Sequence, residues 1–172
     1  MLRLSSSLLN RPVVSLRTGG QIALAEVPII NPHNLKILGW WCSSPDGQQV
    51  LLAEELRDMV PEGLAVNNEE ALSDPSDLVR HHEILEINFD LMDKPVRTKR
   101  QRLGRVSDYS YNDGMFVQKL YVARPLRKVF SAEDTLIIDR EQIIEVTDKY
   151  IMVRDTEVKA GAEELAGAAL SA

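Results

Sequence analysis

Three groups of side chains in this sequence have the chemistry to act on a ligand. His81 and His82 stand together with Glu83 beside them. Adjacent imidazoles can ligate a transition metal, but a zinc site needs three or four ligands. The only other soft donors, His33 and Cys42, stand at unrelated spacings, so a polar linker is the plainer reading of the pair. Glu54-Glu55 and Glu141 could suggest paired carboxylates, which glycoside hydrolysis requires across a cleft. Each lies just after a short apolar run, where an acid at the start of a helical turn has a structural use. Neither a Ser-His-Asp order, a phosphate-cradling glycine loop nor an H-E-x-x-H motif is present. The chain is therefore expected to bind no metal and no cofactor, and to work by binding, not as an enzyme.

The third group is basic. Arg97, Lys99, Arg100, Arg102 and Arg105 fall within nine residues, and Lys119, Arg124, Arg127 and Lys128 follow. Such clusters attract phosphate backbones by counterion release, and Tyr109, Tyr111, Phe116 and Tyr121 could stack on bases. The same cations could instead pair with protein carboxylates or lie solvated on a loop. Trp40-Trp41 is the other candidate contact. Neighbours on a strand point to opposite faces, which sends one ring into a core and leaves the other for packing or for a partner.

The elements that hold these groups must fit in 172 residues, one medium domain or two small ones. Through residue 88 there are 6 Lys/Arg against 12 Asp/Glu, and from residue 89 on there are 14 against 14. From Lys94 to Lys128 ten basic residues meet two acids, so a basic face is expected despite the net charge of −6. A single cysteine forms no intrachain disulfide, which fits a reducing, cytoplasmic setting. No apolar run reaches membrane-spanning length.

The sequence repeats itself. Residues 2–13, LRLSSSLLNRPV, align with residues 85–96, LEINFDLMDKPV: Leu2, Leu8, Pro12 and Val13 meet Leu85, Leu91, Pro95 and Val96. Residues 50–68 align with 137–155, where Val50, Leu51, Glu54, Met59, Leu64 and Val66 meet Ile137, Ile138, Glu141, Val146, Ile151 and Val153. Between these blocks Gly20 and Ile22 are set against Gly104 and Val106. The N-terminal segment thus has a counterpart inside the chain and reads as structure, not as a cleaved leader.

Each copy reads as short strands with turn signals about every ten residues. In the first, 12–17 and 21–30 flank the Thr18-Gly19-Gly20 turn, followed by 35–42, 50–52 and 63–66, with a helical turn over 53–59. In the second, 106–111 and 115–123 flank Asn112-Asp113-Gly114, followed by 136–138 and 150–153, with a helical turn over 139–144. The fold class expected is mainly β: two tandem small closed barrels, each with a short helical turn before its last strand. Copy one covers 1–80, copy two 81–158, and 159–172 is a disordered Ala-rich tail. The acidic 67–77 reads as a linker or loop.

The order L-x-x-x-P-V at 91–96, G-x-V-x-D at 104–108, an apolar strand at 115–122, I-x-x-E-x-I at 138–143 and a last apolar strand at 150–153 resembles the PRC-barrel family. In copy one the Asp of the second motif is replaced by Leu24. The resemblance implies a small β-barrel that docks onto other proteins without catalysis, as in the photosynthetic reaction-centre H subunit and a ribosome maturation factor. The expected function is a non-catalytic adaptor for a protein partner, with Arg97, Lys99, Arg100, Arg102, Arg105, Trp40 and Trp41 as its surface. Homo-oligomerisation is compatible with the opposite charge of the two copies. The alternative is a ribosome- or RNA-associated assembly factor using Lys94–Lys128.

Overall fold

The computed structural model describes residues 1–124, 135–155 and 159–160. In chain order its strands are β1 (Arg3–Leu4), β2 (Arg11–Ser15), β3 (Gln21–Ile30), β4 (Ile37–Ser44), β5 (Gly47–Leu52), β6 (Asp58–Val60), β7 (Gly63–Val66) and β8 (Leu72–Ser73). A short helix α1 (His82–Ile87) leads to β9 (Pro95–Arg97), β10 (Arg102–Tyr111), β11 (Val117–Ala123), β12 (Thr135–Asp139), β13 (Ile143–Val146), β14 (Ile151–Val153) and β15 (Lys159–Ala160). The protein is mainly β. Beyond Ala160 the expected tail lies outside the described residues, as do Arg127 and Lys128 of the basic segment.

Two compact units divide the chain. The N unit is Ser6–Asn31 with Ile37–Phe89; the C unit is Met1–Ser5, Pro32–Lys36 and the chain from Asp90 onward. Each holds one curled sheet. In the N unit the strand order is β6-β7-β2-β3-β4-β5-β8, and in the C unit β13-β14-β9-β10-β11-β12-β15, with β1 added on β10. The two orders are the same, element for element. In each, a meander of four strands is followed by a hairpin whose second strand returns parallel to the first: β7 beside β2, β14 beside β9. A 3-10 turn, Ala53–Glu55 or Arg140–Gln142, connects the meander to that hairpin.

Correspondence extends to single residues. Val13 pairs with Leu64 and Val96 with Ile151; Trp40 pairs with Leu51 and Leu120 with Ile138. Register breaks fall at Ala25/Val27 and Ile29/Ile30 in β3, and at Val106/Asp108 and Ser110/Tyr111 in β10. Bulges of this kind bend a strand and raise its twist, which curls both sheets at matching places. Left-handed backbone at Asn10 and Leu35 is matched at Asp93 and Met115.

These registers keep the 50–68 block and the end of the first block, residues 10–13 against 93–96, and correct the rest: Arg3–Leu4 is strand β1 where the aligned 86–87 lie in α1. Val13 faces Ala23 and Val96 faces Gly104, so Gly104 corresponds to Ala23, not Gly20. Trp41 faces Val27 and Tyr121 faces Asp108, so Val27, not Leu24, stands where Asp108 stands. Loops of different length hide this in the sequence, because no alternation marks where residues were gained or lost.

The sheets are covered on both faces. Val50, Leu51 and Leu52 are buried in succession, as are Leu136, Ile137 and Ile138; a strand with one wet face would alternate. In the N unit, Ile29, Val50 and Leu52 are covered by Leu78, Ile84 and Leu85. That burial orders the chain from 67 to 89, so 67–77 is a structured loop of the N unit, the second of the two expected readings: Asn68 and Asp74 cap 3-10 turns, β8 pairs with β5, and α1 ends on left-handed Asn88. In the C unit, Leu4 of β1 packs with Tyr121 and Ile137.

Candidate docking surface

The basic cluster sits on the hairpin between β9 and β10. The tip turns over Thr98–Gln101, where Thr98 N–H donates to the Gln101 carbonyl at 2.9 Å. Thr98 is buried, and its Oγ1 accepts from Arg100 N–H and Gln101 N–H, each at 3.2 Å. The turn is therefore held by its own short side chain, and the long ones, Arg97, Lys99, Arg100 and Arg102, point to solvent. Arg97 lies over the Tyr150 ring at 5.6 Å. Arg100 Nε is 3.4 Å from Asp155 Oδ2, with 87% of the arginine side chain still exposed. Lys99 and Arg102 form no ion pair among the described residues. Arg105 stands further along β10, where Asp93 holds it through its carbonyl at 2.8 Å and its carboxylate at 3.4 Å.

Parallel pairing adds a residue that sequence spacing did not reveal. Met152 of β14 is the ladder partner of Arg97 and Asp155 reaches Arg100, so the chain leaving β14 carries exposed Arg154 alongside the tip, more than fifty positions away in sequence. Only a strand-pairing rule could have found it, and nothing local in the sequence announces a parallel return.

The N unit contains the same hairpin with different chemistry. Ser15 is buried where Thr98 is buried, and its Oγ accepts from Thr18 N–H at 3.4 Å. Its tip, Leu16-Arg17-Thr18-Gly19-Gly20, carries one cation. Across the base of this hairpin Val14 faces Gln21; in the C unit the same two places hold Arg97 facing Arg102. Two like charges directly opposite each other destabilise a ladder. Leu16 N–H and Arg17 N–H also donate to Val66 and Asn67 carbonyls at 2.8 and 3.1 Å. Lys99 and Arg100 form no such bond to Val153 or Arg154 among the described residues, and the β9–β14 ladder is one pair shorter than β2–β7.

The tryptophans are placed in packing. Trp40 is fully buried, its Nε1–H donating to the Leu8 carbonyl at 3.0 Å. Trp41 is half-buried against the Ile29–Val50–Leu52 cluster. Tyr109, Tyr111 and Tyr121 are buried, which corrects the expectation that they could stack on bases. Phe116 is flanked by Lys36 at 5.6 Å and Arg140 at 5.2 Å.

The remaining candidates do not converge. His82 lies on α1 within 3.6 Å of Glu86, one turn on, and no group of three metal-ligating side chains occurs among the described residues. Glu54 and Glu141 are exposed on corresponding 3-10 turns of separate sheets. Cys42 is buried, and burial pushes its thiol up to about 12. No described helix is long and apolar enough to cross a membrane. No family model and no curated protein sequence matches the chain.

Proposed function

We propose that the protein is a non-catalytic docking module that engages a protein partner through the β9–β10 hairpin. One observation carries this reading: the same hairpin, with the same buried hydroxyl in its turn, folds in the N unit with one cation and an uncharged cross-strand pair. The fold does not need Arg97, Lys99, Arg100 and Arg102, and the Arg97–Arg102 pair opposes it. A cost retained at a solvent-facing tip is explained by a ligand of opposite charge. Burial of Tyr109, Tyr111 and Tyr121 takes away three of the four candidate stacking platforms that single-stranded RNA binding could use, and the fourth, Phe116, already lies against Lys36 and Arg140, which favours a protein partner over the RNA alternative.

The same correspondence supports an origin by internal duplication and a PRC-barrel-like reading of each curled sheet. Equal strand order, equal parallel return and equal bulge positions are what two copies of one ancestral unit retain. On this reading the two copies have diverged at their hairpins, one keeping a near-neutral tip and the other acquiring charge.

The test compares the full chain with a variant carrying R97E, K99E and R102E, each used to capture partners from native lysate with and without nuclease treatment. A protein retained by the first and lost by the second supports the proposal. Equal retention by both, or retention that nuclease abolishes, overturns it. Unchanged thermal stability of the variant excludes unfolding as the cause.

A further inference from the structure

We infer that the hairpin tip is a seat for carboxylates, that its partner presents an extended acidic segment, and that Asp155 is a built-in occupant which the partner displaces. The inference rests on the docking reading and specifies its chemistry and its regulation. The tip draws cations from two chain segments: Arg97, Lys99, Arg100 and Arg102 from the hairpin, and Arg154 from the end of β14. Among the described residues it contains one carboxylate, Asp155, already on Arg100 Nε at 3.4 Å.

Guanidinium groups suit carboxylates because their planar donors match the two oxygens. The observed carboxylate leaves most of Arg100 open, and leaves Arg102 and Lys99 without an ion pair among the described residues. An entering Glu or Asp side chain can therefore take Arg102 or Lys99 first and then exchange with Asp155 on Arg100. Among the described residues the tip has no open aromatic surface that would favour a nucleic acid, since Tyr150, the ring beside it, has Arg97 lying over it.

The bond to Asp155 sets the size of the effect. An exposed ion pair is worth a few tenths to 1 kcal/mol, so removing an internal competitor tightens binding by about two- to fivefold. The experiment titrates a labelled decaglutamate peptide into the full chain, D155N and D148N at low ionic strength, reading fluorescence anisotropy. D148N removes an equal charge elsewhere in the C unit. The expected result is a two- to fivefold lower Kd for D155N and a smaller change for D148N. Equal tightening by both variants shows net charge alone and overturns the inference, as does unchanged or weaker binding by D155N. An oligoribonucleotide of equal charge that binds more tightly than the peptide overturns the carboxylate assignment. If the peptide binds neither D155N nor the unaltered chain, the docking reading itself falls.

Discussion

Ser15 and Thr98 occupy the same position in the two sheets, each buried at the end of the first strand of a hairpin and each accepting a turn N–H on its hydroxyl. Two different sequences place a small hydroxyl there, where the turn's amides point inward and need an acceptor. Everything outward of that hydroxyl differs: Leu16 and Arg17 on one tip, Lys99 and Arg100 on the other. The pair separates what the hairpin needs in order to fold from what it carries for another purpose.

Thr98→Ala is expected to destabilise the protein by about 1 kcal/mol through loss of the turn acceptor, and Thr98→Ser by less. Thermal melts of the two variants check this. A decrease of equal size in both would mean that the methyl group, not the hydroxyl, holds the turn.

Trp40→Ala removes the largest fully buried side chain together with its bond to the Leu8 carbonyl. Core truncation of this kind costs ~3–5 kcal/mol, which in a chain of this length corresponds to a Tm lower by about 10 °C. Trp41→Ala, at a half-buried position, is expected to cost less. Urea unfolding of both variants gives the comparison.

At Gly39 a β-carbon would stand 2.1 Å from the Leu51 carbonyl oxygen. The obstruction is backbone of the neighbouring strand and cannot rotate away. Gly39→Ala is therefore expected to cost more than the ~1–3 kcal/mol typical of overpacking, or to prevent folding. Soluble yield and a thermal melt read the outcome.

Alkaline pH is expected to weaken the fold. Burial raises the thiol of Cys42 to about 12 and raises the phenols of Tyr109 and Tyr121. Each group stays protonated in the folded chain at pH values where the unfolded chain has lost the proton. Their contribution is complete below the unfolded values, near 9 for the thiol and 10 for the phenols, and is lost as pH rises from there towards the folded values. Melts between pH 7 and pH 11 should show a falling Tm above about pH 9. For the same reason Cys42 should resist a thiol reagent in the native protein and react at once in urea; rapid native labelling would contradict the burial described.

The amino-acid sequence by itself determined the mainly β character, the strands β2, β3 and β7, and the match in strand register of residues 10–13 and 50–68 with 93–96 and 137–155. These rest on alternation, turn residues and repetition, which act over a few positions and leave their marks in order along the chain. The cluster of cations was legible in the same way. Only the tertiary structure decided which groups face water and which meet. Bulges at Ala25/Val27 and Val106/Asp108 shift the phase of alternation, so the burial of Tyr109, Ser110 and Tyr111 in succession could not be counted from the sequence. The parallel return of β14 brings Arg154 to the hairpin tip, and the hydrophobic cover by Leu78, Ile84 and Leu85 turns an acidic, linker-like stretch into ordered structure. Both depend on contacts between residues far apart in sequence, whose favourable burial outweighs what the local composition of either segment prefers.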